Sequence, residues 1–189
     1  MGIRRWCCDK VAFDGWTWHL AICNFALERR VTGKERTMKA LSIQPYYATM
    51  IALGFKWIEL RSWKTDYRGW ILICASRAIN KEEKATLMNG HAVAIAELTD
   101  VRPYDDKTDR EDALLYDDES FEGYSWIFNR VIPVKPFPVK GQLRLFEVDC
   151  EIDDLEAIEL DYSSESFPRD LLSWWKKNGF IENMSLMEG

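Results

Sequence analysis

Three charged side chains lie close together in the stretch GFKWIELRSW, which begins at Gly54. Lys56 and Arg61 can neutralise phosphate groups, and Glu59 can orient the two cations or accept a hydrogen bond from a base amino group. In a strand, Glu59 and Arg61 project from the same face. The trio can equally be a structural ion-pair cluster at a strand edge, which contributes only about 0–1 kcal/mol. The charges alone leave both interpretations open.

Aromatic and basic side chains elsewhere extend the candidate site. A nucleobase can stack on an aromatic ring beside a cation, and Trp63 and Trp126 are candidates for that contact. Arg68 and Lys140 can extend a basic rim. Each also has an ordinary interpretation, because large aromatic rings usually lie in cores. The candidate binding residues are Lys56, Glu59, Arg61, Trp63, Arg68, Trp126 and Lys140.

The composition excludes several classes of protein. Hydrophobic residues make up 47% of the 189 residues and charged residues 30%, as in a globular protein. No apolar run approaches the roughly 20 residues of a membrane helix, so we expect no membrane association. With only two histidines, we expect neither a histidine-based metal site nor a cofactor. The five cysteines form no C-x-x-C pair and indicate reduced thiols in the cytoplasm.

The negative charge is concentrated in two segments. The net charge is −6, but residues 104–122 carry nine acidic and two basic side chains, and residues 151–189 carry ten and three. The rest of the chain is mildly basic, which is compatible with a local site for a polyanion. Because like charges at this density resist compaction, we expect 104–122 to be a solvated loop or a mobile flap.

Periodicity predicts a mixed fold with more strands than helices. Pro45 is typical of the first position of a helix, and Gly54 of a helix end. Ala92, Ala94 and Ala96 form a small-residue face, as on the inside of a tight barrel. The proline-rich VKPFPVKG is interpreted as a connection. Strands are predicted at 39–43, 56–63, 70–75, 91–101, 124–134 and 141–152, and helices at 45–53, 81–88 and 167–179.

Six pieces of the chain between residues 38 and 150 resemble, in order, the ASCH domain. This PUA-like module also occurs in the transcription coactivator activating signal cointegrator. The family signature G-x-K-x-x-E-x-R falls on Gly54, Lys56, Glu59 and Arg61. The six pieces are LSIQPYYA, GFKWIELRSW, YRGWILICAS, AVAIAELTDV, YSWIFNRV and FPVKGQLRLFEV.

The resemblance implies an α+β fold, a small PUA-like β-barrel with flanking helices and with N- and C-terminal extensions. It also implies an RNA-binding or other nucleic-acid-binding module with a cleft beside the signature. We expect residues 1–37 to be an accessory extension, 38–150 the domain, and 151–189 an acidic extension with an amphipathic helix. That helix should pack on the barrel or on a protein partner through Leu171, Leu172 and Trp175.

An enzyme is the alternative that the resemblance leaves open. One bacterial branch similar to this family deacetylates N4-acetylcytidine with lysine, threonine and glutamate, and another is described as cleaving RNA. The threonine nucleophile falls at the position of Glu59, and a carboxylate does not replace a hydroxyl nucleophile. Glu59 as a general base beside Lys56, which would stabilise an oxyanion, stays open. We prefer the binding module over a hydrolase of RNA or of a modified nucleoside.

Deletion of residues 1–37 should leave one cooperative unfolding transition, since the recognisable domain begins at Met38. Urea unfolding followed by tryptophan fluorescence measures this. Loss of cooperative unfolding would show that WTWHLAICNF belongs to the core.

Overall fold

The computed structural model describes residues 37–77, 87–158, 160–161, 164–182 and 184. The accessory segment predicted at 1–37 lies outside these residues except for Thr37, and the helix predicted at 81–88 lies almost wholly outside them.

Six strands form one mixed sheet. They are β1 (Thr37–Ile43), β2 (Ile58–Arg61), β3 (Gly69–Ala75), β4 (His91–Pro103), β5 (Tyr124–Pro138) and β6 (Leu145–Asp149). The order is β2-β5-β4-β3-β1-β6, in which only β1 and β3 pair in parallel. The α+β class is therefore confirmed, whereas closure of the sheet into a barrel stays a prediction.

Three α-helices accompany the sheet in the described residues. They are α1 (Pro45–Ala52), α2 (Asp106–Ala113) and α3 (Phe167–Lys177). Pro45 begins α1, and Gly54 follows it with φ 77°, a left-handed conformation that costs glycine least. The chain therefore leaves α1 sharply and reaches β2 within a few residues. Within the described part of the chain, no helix is long and apolar enough to cross a membrane.

Strand β5 is longer than predicted. The segment interpreted as a proline-rich connection continues β5 to Pro138, with Phe137 paired to Ala92 of β4. The pairing of β4 with β5 is irregular there, which accommodates prolines that cannot donate a hydrogen bond to a neighbouring strand. Directly before the first of these prolines, the N–H of Lys135 donates to the carbonyl of Glu156, which lies outside the sheet, at 2.7 Å. The predicted connection was therefore wrong.

The alanines of β4 are fully buried but do not share one face. Ala94 and Ala96 pack in the main core, whereas Ala92 packs in a second core on the other side of the sheet. The register shifts between Ala92 and Ala94, which interrupts the alternation of side chains. The prediction of a three-alanine face is therefore correct only for Ala94 and Ala96.

Helix α3 packs on the main core of its own chain. Leu171, Leu172 and Trp175 are fully buried and lie in the same apolar cluster as residues of β1, β3 and β4. The predicted helix and its packing are therefore confirmed. The packing stabilises α3, since an isolated helix this short is marginal in water. A protein partner is not needed to bury these three side chains.

Part of the acidic segment forms helix α2 around one buried carboxylate, so the expected solvated loop is wrong for Asp106–Ala113, whereas mobility of the segment stays a prediction. Asp109 on α2 accepts hydrogen bonds from both terminal guanidinium nitrogens of Arg102, from Nη2 at 2.5 Å and from Nη1 at 2.9 Å. It also accepts from Ser125 Oγ (2.6 Å), Thr108 Oγ1 (2.9 Å) and the backbone N–H of Asp105 (3.1 Å). These bonds offset the repulsion between the acidic side chains and attach α2 to β4 and β5.

These contacts also set the ionisation of Asp109. Burial alone would raise the pKa of this carboxyl group, but the hydrogen bonds from Arg102 and Ser125 outweigh burial and lower the pKa to about 2. The charged form is therefore the one that the fold stabilises.

Replacement of Asp109 with asparagine should lower the free energy of unfolding by about 2 kcal/mol, because the charged form makes the stronger hydrogen bonds. In the parent, this contribution is fully present above about pH 4 and is lost as the pH falls toward 2. Urea unfolding between pH 2 and pH 6 measures both effects. Asp118→Asn changes an exposed carboxylate of the same segment and is the control. Equal stability of both variants at pH 6 would contradict the account.

Candidate functional site

Lys56 lies in the short link between α1 and β2. Its side chain is only 3% exposed. The ammonium group donates to the carbonyl of Ala113, the last residue of α2, at 2.5 Å. It also lies 3.6 Å from Glu59 Oε2 and 4.8 Å from the centre of the Tyr47 ring. The carbonyl end of a helix favours a cation, so α2 itself contributes to holding Lys56.

Burial changes the chemistry of Lys56. Removal from water lowers the pKa of the ammonium group, and the opposing attraction of Glu59 does not cancel this effect. Two neighbouring tyrosines are affected in a similar way. Burial raises the pKa of Tyr47, and the negative charge of Glu119 raises it further. Burial also raises the pKa of Tyr46, and the interaction with Tyr116 makes a smaller contribution in the same direction. The acidic segment therefore forms part of the surroundings of Lys56.

Glu59 lies between the two cations of the signature. It is 6% exposed, and its Oε1 atom is 3.1 Å from Nη2 of Arg61. The same nitrogen donates to the carbonyl of Ser42 on β1 at 2.8 Å. Strands β2 and β1 are separated by three other strands in the sheet, so Arg61 connects two strands that are not neighbours. The sheet must therefore curl strongly for this contact to form.

Arg61 retains hydrogen-bonding capacity. Its side chain is 24% exposed, unlike the almost fully buried Lys56. Among the described residues, neither Arg61 Nε nor Ser42 Oγ has a hydrogen-bond partner, although both atoms are buried. Unsatisfied polar atoms inside a protein cost free energy and call for an explanation. Because the Nε atom is buried, a ligand could reach only the exposed remainder of the Arg61 side chain, which is the most exposed of the trio.

An aromatic pair lies next to these charges. Trp63 and Trp126 meet edge to face with ring centres 4.6 Å apart, and the indole N–H of Trp126 donates to the Trp63 carbonyl at 3.2 Å. Trp126 is fully buried and pairs with Glu59 across β2 and β5. Trp63 is only partly buried, and the guanidinium of Arg144 lies 5.6 Å from the centre of its ring. Trp63 is therefore the member of the pair that reaches the surface, with Arg144 over its ring.

The two remaining predicted residues lie outside the charged trio. Arg68 is exposed and bonds to the carbonyls of Thr65 and Tyr67, with Asp100 at 3.3 Å. Lys140 is exposed between β5 and β6, next to Gly141. Their contact with nucleic acid stays a prediction.

Several neighbours of the trio were missed in the sequence analysis. The tandem tyrosines Tyr46 and Tyr47 were a usable signal, since they lie in the first turn of the helix that follows β1. The Ala113 carbonyl and Arg144 gave no signal, because only the folded chain brings them to Lys56 and Trp63.

Within the described residues, no group of three or more His, Cys, Asp or Glu side chains could hold a metal ion.

Comparison with known proteins identifies the class to which this arrangement belongs. The ASCH domain model matches residues 41–139, which include the whole charged trio. The chain is a member of the ASCH domain family. No curated protein matches it by sequence.

Two similar solved structures are from Zymomonas mobilis. A crystal structure of ASCH from Zymomonas mobilis has a TM-score of 0.46 and 14% sequence identity, and the comparison covers 74% of this chain and 96% of that one. A tyrosine-to-phenylalanine variant of the Zymomonas mobilis protein has a TM-score of 0.45 and 14% identity, with 72% and 96% covered.

A double-mutant cycle should show strong coupling between Lys56 and Glu59. Lys56→Met and Glu59→Gln should each destabilise the protein, and the double variant should lose about 1–3 kcal/mol less than the sum, because each single change leaves a buried charge less compensated. Urea unfolding gives the three free energies. The exposed pair Lys39 and Glu147, 2.7 Å apart, is the control, with an expected coupling of about 0–1 kcal/mol. Equal coupling in the two pairs would refute a buried charge network.

Proposed function

We propose that this ASCH domain binds single-stranded RNA, in preference to other nucleic acids, at the surface formed by Arg61 and Trp63, which we call the Arg61 surface. The carrying observation is that Glu59 and Ser42 fix the Arg61 side chain while part of it stays exposed to solvent. A guanidinium group held in this way loses little conformational freedom when it binds a phosphate.

Lys56 takes a supporting role in this proposal. Its ammonium group is already occupied by the Ala113 carbonyl, Glu59 and the Tyr47 ring, and it has almost no exposed surface. We therefore assign the phosphate contact to Arg61 and the positioning of Glu59 to Lys56. This refines the expectation that both cations of the signature would contact the ligand.

The aromatic contact is assigned to Trp63. A base stacked on a tryptophan contributes about 1–3 kcal/mol, and the neighbouring Arg144 adds positive charge. Trp126 is fully buried, so we assign it a positioning role: it orients Trp63 through the edge-to-face contact and the hydrogen bond. Direct contact of Trp126 with a base would require its ring to leave the core.

The acidic segment limits where a strand can run. Residues 104–122 carry nine acidic and two basic side chains. Tyr116 of this segment interacts with Tyr46 of α1, and the charge of Glu119 acts on Tyr47. Repulsion should keep phosphates away from that side and direct the strand toward Trp63 and Lys140. We place this activity in the cytoplasm, where the free thiols of Cys74 and Cys150 would stay reduced.

A hydrolase is the second candidate, favoured by one observation. Lys56 and Glu59 are both buried and only 3.6 Å apart, and burial lowers the pKa of Lys56. Ionisable pairs with shifted pKa values are common in active sites, although structural ion pairs show them too. In this case Glu59 would take a proton from water, and Lys56 would stabilise the oxyanion formed on RNA or on a modified nucleoside.

Arg61→Ala should weaken binding of a fluorescent single-stranded RNA and reduce the slope of log affinity against log salt by about 0.7, since one phosphate contact is lost. Fluorescence anisotropy at four salt concentrations measures both quantities. Lys177→Ala removes an exposed positive charge from α3 and is the charge-matched control. The proposal fails if the two variants change the slope equally, or if the parent protein binds no RNA.

Glu59→Gln separates the two candidate functions. A binding module should lose affinity modestly, because Arg61 is held less firmly, and should show no turnover before or after the change. A hydrolase should lose turnover of RNA or acetylated cytidine while binding is nearly unchanged. Product analysis by liquid chromatography, with unfolding curves for both proteins, distinguishes these results.

A further inference from the structure

The loop of residues 139–144 joins β5 to β6 and carries an unusual apolar side chain. Leu143 is 94% exposed, and the other exposed large hydrophobic side chain of the described residues, Tyr116, is 61% exposed. A single exposed leucine is common on protein surfaces. The position of this one matters because the loop, here called the Leu143 loop, is attached to the Arg61 surface at two points.

The first attachment is made at Gly141. A Cβ atom at this position would lie 2.2 Å from Ser42 Oγ, so the backbone of the loop packs directly against Ser42. Ser42 is the residue whose carbonyl accepts the hydrogen bond from Arg61. The Leu143 loop therefore packs on the residue to which the Arg61 side chain is bound.

The second attachment is made at Arg144. Its guanidinium lies 5.6 Å from the centre of the Trp63 ring, and its backbone has φ 60°, in the left-handed region. Residues with a Cβ atom enter this region at a cost in energy, and such positions are frequent where a site fixes the backbone. Because both ends of the tip are held, Leu143 is directed away from the protein.

An apolar group fixed beside a cation and an aromatic ring suits one class of ligand. Leucine and similar side chains pack against or insert between nucleobases in several nucleic-acid complexes. Lys140 in the same loop is exposed and can contact a neighbouring phosphate. We propose that Leu143 is a contact residue for an unstacked base of single-stranded RNA, next to the base that Trp63 would hold. This inference rests on the proposed function.

The test uses the full chain and a single-stranded RNA that contains 2-aminopurine, whose fluorescence rises when the base is unstacked. Leu143→Ala should weaken affinity about tenfold, the loss expected when most of a leucine contact is removed. The salt slope should stay unchanged because no charge is lost, whereas Lys140→Ala should reduce the slope by about 0.7. The 2-aminopurine signal of the bound RNA should fall in Leu143→Ala and return in Leu143→Met.

Gln142→Ala is the matched control, since it alters an exposed polar residue of the same loop and should bind like the parent. Parent affinity and parent fluorescence in Leu143→Ala, with weaker binding in Arg61→Ala, would overturn this inference alone. Absence of RNA binding by the parent would overturn both this inference and the proposed function. The variants of Lys140, Gln142 and Leu143 should unfold like the parent, because these three side chains are exposed and lie outside the core.

Discussion

Glu59 is a carboxylate with almost no access to water, and its charge is compensated by Lys56 at 3.6 Å and Arg61 at 3.1 Å. Burial of an unpaired carboxylate would cost several kcal/mol, so the two cations have to stay in place. Each cation is also bound to a second element, Lys56 to the end of α2 and Arg61 to Ser42 of β1. The compensation of one charge therefore holds three parts of the fold together.

This arrangement divides the signature into an inner and an outer part. Lys56 is buried and fully engaged, and Arg61 reaches the surface in a fixed orientation next to Trp63. The acidic segment belongs to the same assembly, since Asp109 anchors α2 and the Ala113 carbonyl at the end of α2 receives Lys56. Under the proposed function, a protein with a net charge of −6 places its negative charge beside the Arg61 surface, where it would define the direction of a bound strand.

The end of α1 and the apolar face of α3 were predicted correctly, because each depends only on a short stretch of sequence. Gly54 ends α1 because of its backbone freedom, and the apolar face of α3 follows from helical spacing. The burial of Lys56 could not be predicted, because alternation along a strand gives the face of a side chain and not what covers that face. The acidic segment was misjudged for a related reason. Charge density indicated a solvated loop, but Arg102 and Ser125, which stabilise Asp109, are brought to it only by the pairing of β4 with β5.

The central claim is that the surface of Arg61 and Trp63, supported by a buried charge network, contacts nucleic acid. A titration of protein with ¹⁵N-labelled tryptophan by single-stranded RNA tests it most directly, with each indole N–H signal assigned by substitution. The Trp63 indole signal should shift strongly and saturably, and the signal of the fully buried Trp175 on α3 should stay in place. Saturable binding that leaves Trp63 unchanged and shifts other indole signals would contradict the claim.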